Sequence, residues 1–217
     1  MISSRFRIIL GTGAMLMAAP AAALSAGYVS GSVGLTFPHD LTTSAGIRGR
    51  LNDGYSLILA SGGTIGPIRA ELEASYRDSK VGGASGFGLT LPGTGRASAL
   101  SGMANAYLDP AFHFGPLKPY VGAGVGISQF RARNISAVGL PFLGPVTGFG
   151  PITGSRTGVA YQVMAGVGIA VAPQTALTLG YRYFATPGAS TNIGQFGRVH
   201  IDGLAIHSLE AGLRFSF

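Results

Sequence analysis

Phe217, Phe215, Leu213, Ala211 and Leu209 fall on one face of an extended chain, and Ser216, Arg214, Gly212, Glu210 and Ser208 fall on the other. A segment with one apolar side and one charged side needs two environments at once. A soluble sheet turns its apolar face to a core; a membrane barrel turns it to lipid and keeps the polar residues inside. The second architecture demands that the pattern recur, at roughly 9 to 11 residues per strand.

The pattern does recur. In Tyr28 to Phe37, Val29, Gly31, Val33, Leu35 and Phe37 alternate with small or polar residues. Ile68 to Arg77 is the clearest case, with Ile68, Ala70, Leu72, Ala74 and Tyr76 opposite Arg69, Glu71, Glu73, Ser75 and Arg77. Ala97 to Leu108, Lys118 to Phe130, Val159 to Val171 and Leu177 to Tyr183 follow the same rule, and Ala205 to Phe217 completes the set. Tyr55 to Gly66 is the weakest strand, because Leu57, Ile58 and Leu59 do not alternate. The expectation is an all-β, eight-stranded antiparallel up-and-down transmembrane barrel over residues 27–217, a single domain.

Three connections are short: Gly66-Pro67, Asp109 to Leu117, and Ala172 to Gln174. Four are long and rich in glycine: Pro38 to Asp53, Asp78 to Arg96, Asn134 to Gly158, and Ala185 to Gly203. Long and short alternate, as in bacterial outer-membrane barrels, with both termini on the short-turn, periplasmic side. Phe37, Tyr55, Tyr76 and Tyr183 towards the long loops, and Tyr107, Tyr120, Phe215 and Phe217 towards the turns, are expected to form the two aromatic girdles in a chain without tryptophan.

Residues 1–26 read as a secretory signal peptide. Arg5 and Arg7 precede an apolar stretch, Ile8 to Ala23, and cleavage is expected after Ala23 or Ala26. Beyond it no run of about 18 apolar residues remains, so a helical span is not expected. Mean hydropathy is nevertheless positive (+0.39) with only 11 % charged residues. Alternating lipid contact accounts for both. The chain has no cysteine, which removes disulfides and thiolate metal or redox chemistry.

Ile68-Arg69-Ala70-Glu71-Leu72-Glu73 with Tyr76-Arg77, Met103 to Tyr107, Lys118 to Gly126, Tyr161-Gln162 with Ala165-Gly166, Gly180 to Phe184 and His207 to Phe215 resemble, in order, the small outer-membrane β-barrels that include OmpA-like, opacity-type and surface-antigen proteins. The resemblance implies a Gram-negative outer membrane and a structural or surface-interaction role, adhesin- or antigen-like. It implies contact with outer-membrane lipid including lipopolysaccharide, and an extracellular partner through the long loops. It also implies that the last strand, with Phe215 and Phe217, carries the signal read by the barrel assembly machinery. A small-solute, porin-like channel is the alternative.

Enzymatic signals are weak. His207 and Ser208 are adjacent and fall on opposite strand faces, so they cannot act as base and nucleophile. No residue beside His200 and Asp202 supplies a nucleophile. His39, Asp40, His200 and Asp202 do not make a metal-ligand pattern, and no cofactor is expected. Gly122-Ala123-Gly124-Val125-Gly126 has the wrong spacing for a phosphate cradle, so nucleotide or nucleic-acid binding is not expected. Gly122, Gly124, Gly126, Gly166 and Gly168 are read as room in the lumen for long side chains from the opposite wall.

Charge is the stronger signal. Arg69, Glu71, Glu73, Arg182, Glu210 and Arg214 lie on the polar faces of their strands, with Glu73, Arg182 and Glu210 at similar height above the turns. An eight-stranded interior has room only for side chains, so these groups must pair and plug it. At or above the long-loop ends stand nine basic residues (Arg48, Arg50, Arg77, Lys80, Arg96, Arg131, Arg133, Arg156, Arg198) against Asp40, Asp53, Asp78 and Asp202. That excess makes Arg131 and Arg133 candidate contacts for lipopolysaccharide phosphates. The third loop is unusually apolar, with Ile135, Val138, Leu140, Phe142, Leu143, Val146, Phe149 and Ile152, and is expected to fold over the barrel mouth or to bind a partner.

Overall fold

The computed structural model describes residues 27–42, 48–86, 89–110, 114–137, 152–192, 198–201 and 203–217. They form strands β1 (Gly27–Pro38), β2 (Leu41–Thr42), β3 (Arg48–Ile65), β4 (Ile68–Gly86), β5 (Leu89–Leu108), β6 (Leu117–Ala137), β7 (Ile152–Ala172), β8 (Thr175–Ala185), β9 (Ala189–Asn192), β10 (Arg198–Ile201) and β11 (Ala205–Ser216). Eight of them, β1, β3, β4, β5, β6, β7, β8 and β11, make a closed antiparallel ring in chain order, because β1 pairs with both β3 and β11. Closure leaves no unpaired sheet edge to satisfy in lipid. The short β2 extends the upper end of β3, and β9 and β10 form a separate hairpin.

The alternation read from the sequence sets which way each side chain points. Val33, Leu35, Leu59, Val125, Ile127, Val159, Leu209 and Leu213 all face outward, with Leu59 exposed to 69 % and Ile127 to 61 %. Apolar area of that extent needs lipid around it. β3 follows the rule despite its run of aliphatics. Tyr55, Leu57 and Leu59 point out, and Ile58 points into the lumen at 5 % exposure. Parity, not the apolar character of the run, decides which side each residue takes.

The long connections are shorter than their glycine content suggested. Asp78 to Arg96 is mostly paired strand: β4 runs to Gly86 and β5 starts at Leu89, with one register shift between Lys80 and Gly83. Much of Pro38 to Asp53 is likewise strand, as β2 and the start of β3. The third connection loses both flanks to β6 and β7, and Ala185 to Gly203 contains the β9–β10 hairpin. Glycine lowers intrinsic strand propensity, but a neighbouring strand already in place supplies the hydrogen bonds that extend the ladder. The apolar third-loop residues from Val138 to Phe149 lie outside the described residues.

Extension is one-sided. β3 to β7 hold 18, 19, 20, 21 and 21 residues, whereas β8, β11 and β1 hold 11, 12 and 12. The wall therefore stands taller on the β3–β7 side, by several residues at about 3.3 Å each.

Candidate functional site: the lumen and the outer face of the tall wall

Alternate residues of β4 send Arg69, Glu71, Glu73, Ser75 and Arg77 inward, and all five are buried. β5 adds Asn105 and Tyr107, β7 adds Gln162, β8 adds Arg182, and β11 adds Glu210 and Arg214. Arg182 donates from Nη1 to Glu73 Oε2 at 2.6 Å and from Nε to Glu210 Oε1 at 2.8 Å. It thus spans the lumen from β8 to β4. Asn105 Nδ2 donates to Glu73 Oε2 at 2.9 Å and to Glu71 Oε1 at 3.0 Å. Gln162 Nε2 adds bonds to Asn105 Oδ1 at 2.7 Å and to Glu73 Oε2 at 3.1 Å. Glu71 is held by hydroxyls rather than by arginine: Tyr28 at 2.9 Å and Tyr107 at 3.0 Å. The result is one polar layer across the barrel, in which removed hydration is replaced by charge-assisted bonds.

Of the six charged residues picked from the sequence, Glu73, Arg182 and Glu210 meet directly. Arg69 pairs instead with Asp109 in a short connection, Nε to Oδ2 at 2.6 Å, and its guanidinium lies 4.4 Å from the Tyr107 ring centroid. Arg214 has no ion pair among the described residues and sits 5.6 Å from the Tyr28 ring centroid. Between the polar layer and the turn end, Arg69, Glu71, Tyr107, Tyr120, Glu210 and Arg214 border a cavity of about 50 Å³. That is room for a few waters.

Three expectations change here. Tyr107 (7 % exposed) and Tyr120 belong to the lumen, with their rings edge-on at 5.8 Å, and not to the girdle at the turn end. Both follow the parity of their own strands, which nearness to the turn cannot override. Arg77 is not a rim residue: it is 2 % exposed, its Nη1 donates to Ser75 Oγ at 2.9 Å, and its guanidinium lies 4.1 Å from the Phe184 ring centroid. The strand continues past the height where a loop was expected, so Arg77 keeps the inward parity of Ser75. The lumen glycines make room chiefly for neighbours on the adjacent strand. A Cβ on Gly122 would strike the Tyr107 ring, one on Gly124 would strike Asn105 Oδ1, and one on Gly166 would lie 2.5 Å from Tyr120 Oη. Gly168 and Gly180 instead serve side chains from two strands away, with Arg214 Nη2 at 3.7 Å from a Cβ on Gly168 and Tyr120 Oη at 2.6 Å from one on Gly180.

Above the polar layer, towards the long loops, Met103, Ala160, Phe184, Leu204 and Ile206 form an apolar cluster, with Leu51 and Phe130 packed against it. The alternation hid this layer, because Met103, Ala160 and Phe184 each stand alone among polar or glycine neighbours on the same face of their strands. Their parity was readable; their meeting at one height needed the register. Thr36, Ser56 and Ser208 lie beside it, fully buried.

Outside the barrel, the parity of Leu100 and Ile127 carries upward. Ser98 and Arg96 continue the outward face of β5, and Gln129, Arg131 and Arg133 that of β6; Tyr76, Asp78 and Lys80 do so on β4. Lys80 is the direct register partner of Arg96, and Arg96 that of Arg133. Arg131 stands one outward step lower and donates from Nη2 to Gln129 Oε1 at 2.6 Å. His207 faces outward among Tyr181, Tyr183 and His39, with its Nδ1 hydrogen-bonded to Tyr181 Oη, while Ser208 faces inward. The two residues are separated by the wall. The side chains of His200 and Asp202 lie outside the described residues.

Comparison with known proteins agrees with this architecture. The chain is similar to the crystal structure of Neisserial surface protein A, with a TM-score of 0.55 and 20 % identity over 88 % of this chain and 97 % of that one. It is similar to the outer membrane protein OprG from Pseudomonas aeruginosa, with a TM-score of 0.58 and 14 % identity over 89 % and 97 %. At these identities the likeness concerns the fold. An uncharacterized protein of Brucella abortus (strain 2308) is 29 % identical over 144 residues, covering 56 % of this chain and 48 % of that protein. The chain thus spans about half the length of the curated relatives it matches. The family described as "Outer membrane protein beta-barrel domain" matches residues 8–217, and with a closed ring of eight antiparallel strands and an apolar exterior the chain belongs to it.

Proposed function

We propose that this protein is a closed, non-catalytic barrel that works through its outer surface rather than through its lumen. The observation that carries this reading is the lumen: Arg182 bridges Glu73 and Glu210, and an apolar layer around Phe184 lies directly above. Two chemically different barriers in series leave neither ions nor apolar solutes a matched path. The leader at residues 1–26 is removed before insertion, both termini end in the periplasm, and Phe215 and Phe217 on the last strand present the signal to the assembly machinery. At the outer rim, Arg131 and Arg133 contact lipopolysaccharide phosphates, and the long loops meet an extracellular partner.

A small-solute channel is the second reading, favoured by the cavity of about 50 Å³ near the turn end. Planar-bilayer recording of the refolded protein separates the two. No resolved conductance steps are expected; stable steps in the unmutated protein would establish the channel.

A further inference from the structure

Lys80, Arg96 and Arg133 stand side by side across β4, β5 and β6 on the outward face, with Arg131 one step below Arg133. All four side chains are exposed. Like charges directly opposite each other on a sheet repel, and this row places three in consecutive register. Among the described residues the row's only ion pair is Arg96 Nε with Asp78 Oδ1 at 3.9 Å, and Asp78 also accepts from Tyr76 Oη at 3.1 Å. One shared carboxylate does not offset four cations. The position is equally specific. The row lies four residues above outward-facing Tyr76 and Leu100, on the order of 13 Å along the strand, just beyond the lipid-facing band and its girdle tyrosines Tyr55 and Tyr76. Among the described residues of the ring, the tall side of the wall alone carries outward-facing strand residues to that height.

We infer that the β4–β6 outer face is a docking surface for the phosphorylated sugar head of lipopolysaccharide, with Lys80, Arg96, Arg133 and Arg131 as its cation array. The inference rests on the surface role proposed above and extends its Arg131 and Arg133 contact to a four-cation array that holds two phosphates of one head. Strands lie about 4.8 Å apart, so Lys80 and Arg133 are anchored about 10 Å from one another, a span that lets two phosphates on one disaccharide head be held together. Arginine offers two donors to each phosphate, and Gln129 holds Arg131 in place for it. The acyl chains of the same molecule then lie along Leu100, Val125 and Ile127, directly below.

The test compares the unmutated protein with Arg96→Gln/Arg133→Gln, refolded in micelles free of lipopolysaccharide and then titrated with it. Binding is expected to weaken at least tenfold in the double variant and about threefold in Lys80→Gln. Without lipopolysaccharide, the double variant's melting midpoint should equal or exceed that of the unmutated protein, because repulsion is relieved. With lipopolysaccharide present the order should reverse. Equal titration of both proteins, equal binding of dephosphorylated lipopolysaccharide, or equal binding of phosphatidylglycerol vesicles would each overturn the inference. Failure here with a silent lumen leaves the closed-barrel reading standing; conductance with intact lipopolysaccharide binding removes that reading and keeps the array.

Discussion

Arg182 is the residue on which the polar layer depends, since two carboxylates share its guanidinium at 2.6 and 2.8 Å. Changing Arg182 to Gln strands both Glu73 and Glu210, and changing Glu210 to Gln leaves part of the arginine charge unmatched. Removing one partner of a buried pair costs about 3–5 kcal/mol, whereas removing both costs less. Each single variant should therefore lower the unfolding midpoint read from the heat-modifiable gel shift in detergent, and Arg182→Gln/Glu210→Gln should recover part of the loss. Strictly additive losses would show the two to be independent, solvated groups. Arg77 provides a contrast within the same lumen. It makes one hydrogen bond, to Ser75, and its Nε and Nη2 have no protein partner. Arg77→Met, which keeps contact with the Phe184 ring, should cost clearly less than Arg182→Met in the same assay; an equal or larger loss would mean that Arg77 is needed to neutralise the two glutamates.

At the scale of the strand, period-two alternation made most of the barrel legible in the sequence, because each inward residue is dictated by parity alone. Arg69, Glu71, Glu73, Arg182 and Glu210 could be assigned to the lumen without knowing the register. Asn105, Gln162 and Tyr28 could not be joined to them, because their meeting depends on how six strands are staggered. The strand ends were the least legible part. Val81 to Gly86 and Leu89 to Thr94 carry glycine, proline and serine where a strand would show β-branched residues, and only the adjacent ladder makes them extend. Glycine also tests the local packing. A Cβ at Gly126 would collide with the Gly102 carbonyl oxygen and lie 2.7 Å from Met103 Cα, both backbone atoms that cannot swing aside. Gly102 and Gly158 have open space at the same point. Gly126→Ala should destabilise the barrel by roughly 1–3 kcal/mol through overpacking, while Gly102→Ala and Gly158→Ala stay within about 0.5 kcal/mol, all measured by urea unfolding in detergent. Equal effects at the three sites would mean that β5 and β6 are packed less closely than this register requires.

Taken as a whole, the molecule is a ring in which short strands β8, β11 and β1 face tall strands β3–β7. The polar and apolar layers lie at the height where both sides are still complete. Phe184 and Ile206 are near the upper ends of the short strands and meet Met103 and Ala160 from the tall side, directly over the Arg182 layer. Two consequences follow from stacking unlike barriers. Loss of the ion pairs alone leaves the apolar layer intact, and an ion gains nothing from reaching it, since transfer of a charge into an apolar site without partners is strongly unfavourable. Loss of the apolar layer alone leaves Arg182 fastened across the lumen. Arg182→Gln/Glu210→Gln and Phe184→Ser/Met103→Ala should therefore each remain silent in planar bilayers, provided the heat-modifiable shift shows a folded barrel. The combined quadruple variant, with both layers weakened and folding verified in the same way, should give discrete conductance steps. Steps from either double variant alone would mean that one layer carries the whole seal, and silence from the folded quadruple variant would place the barrier elsewhere along the lumen.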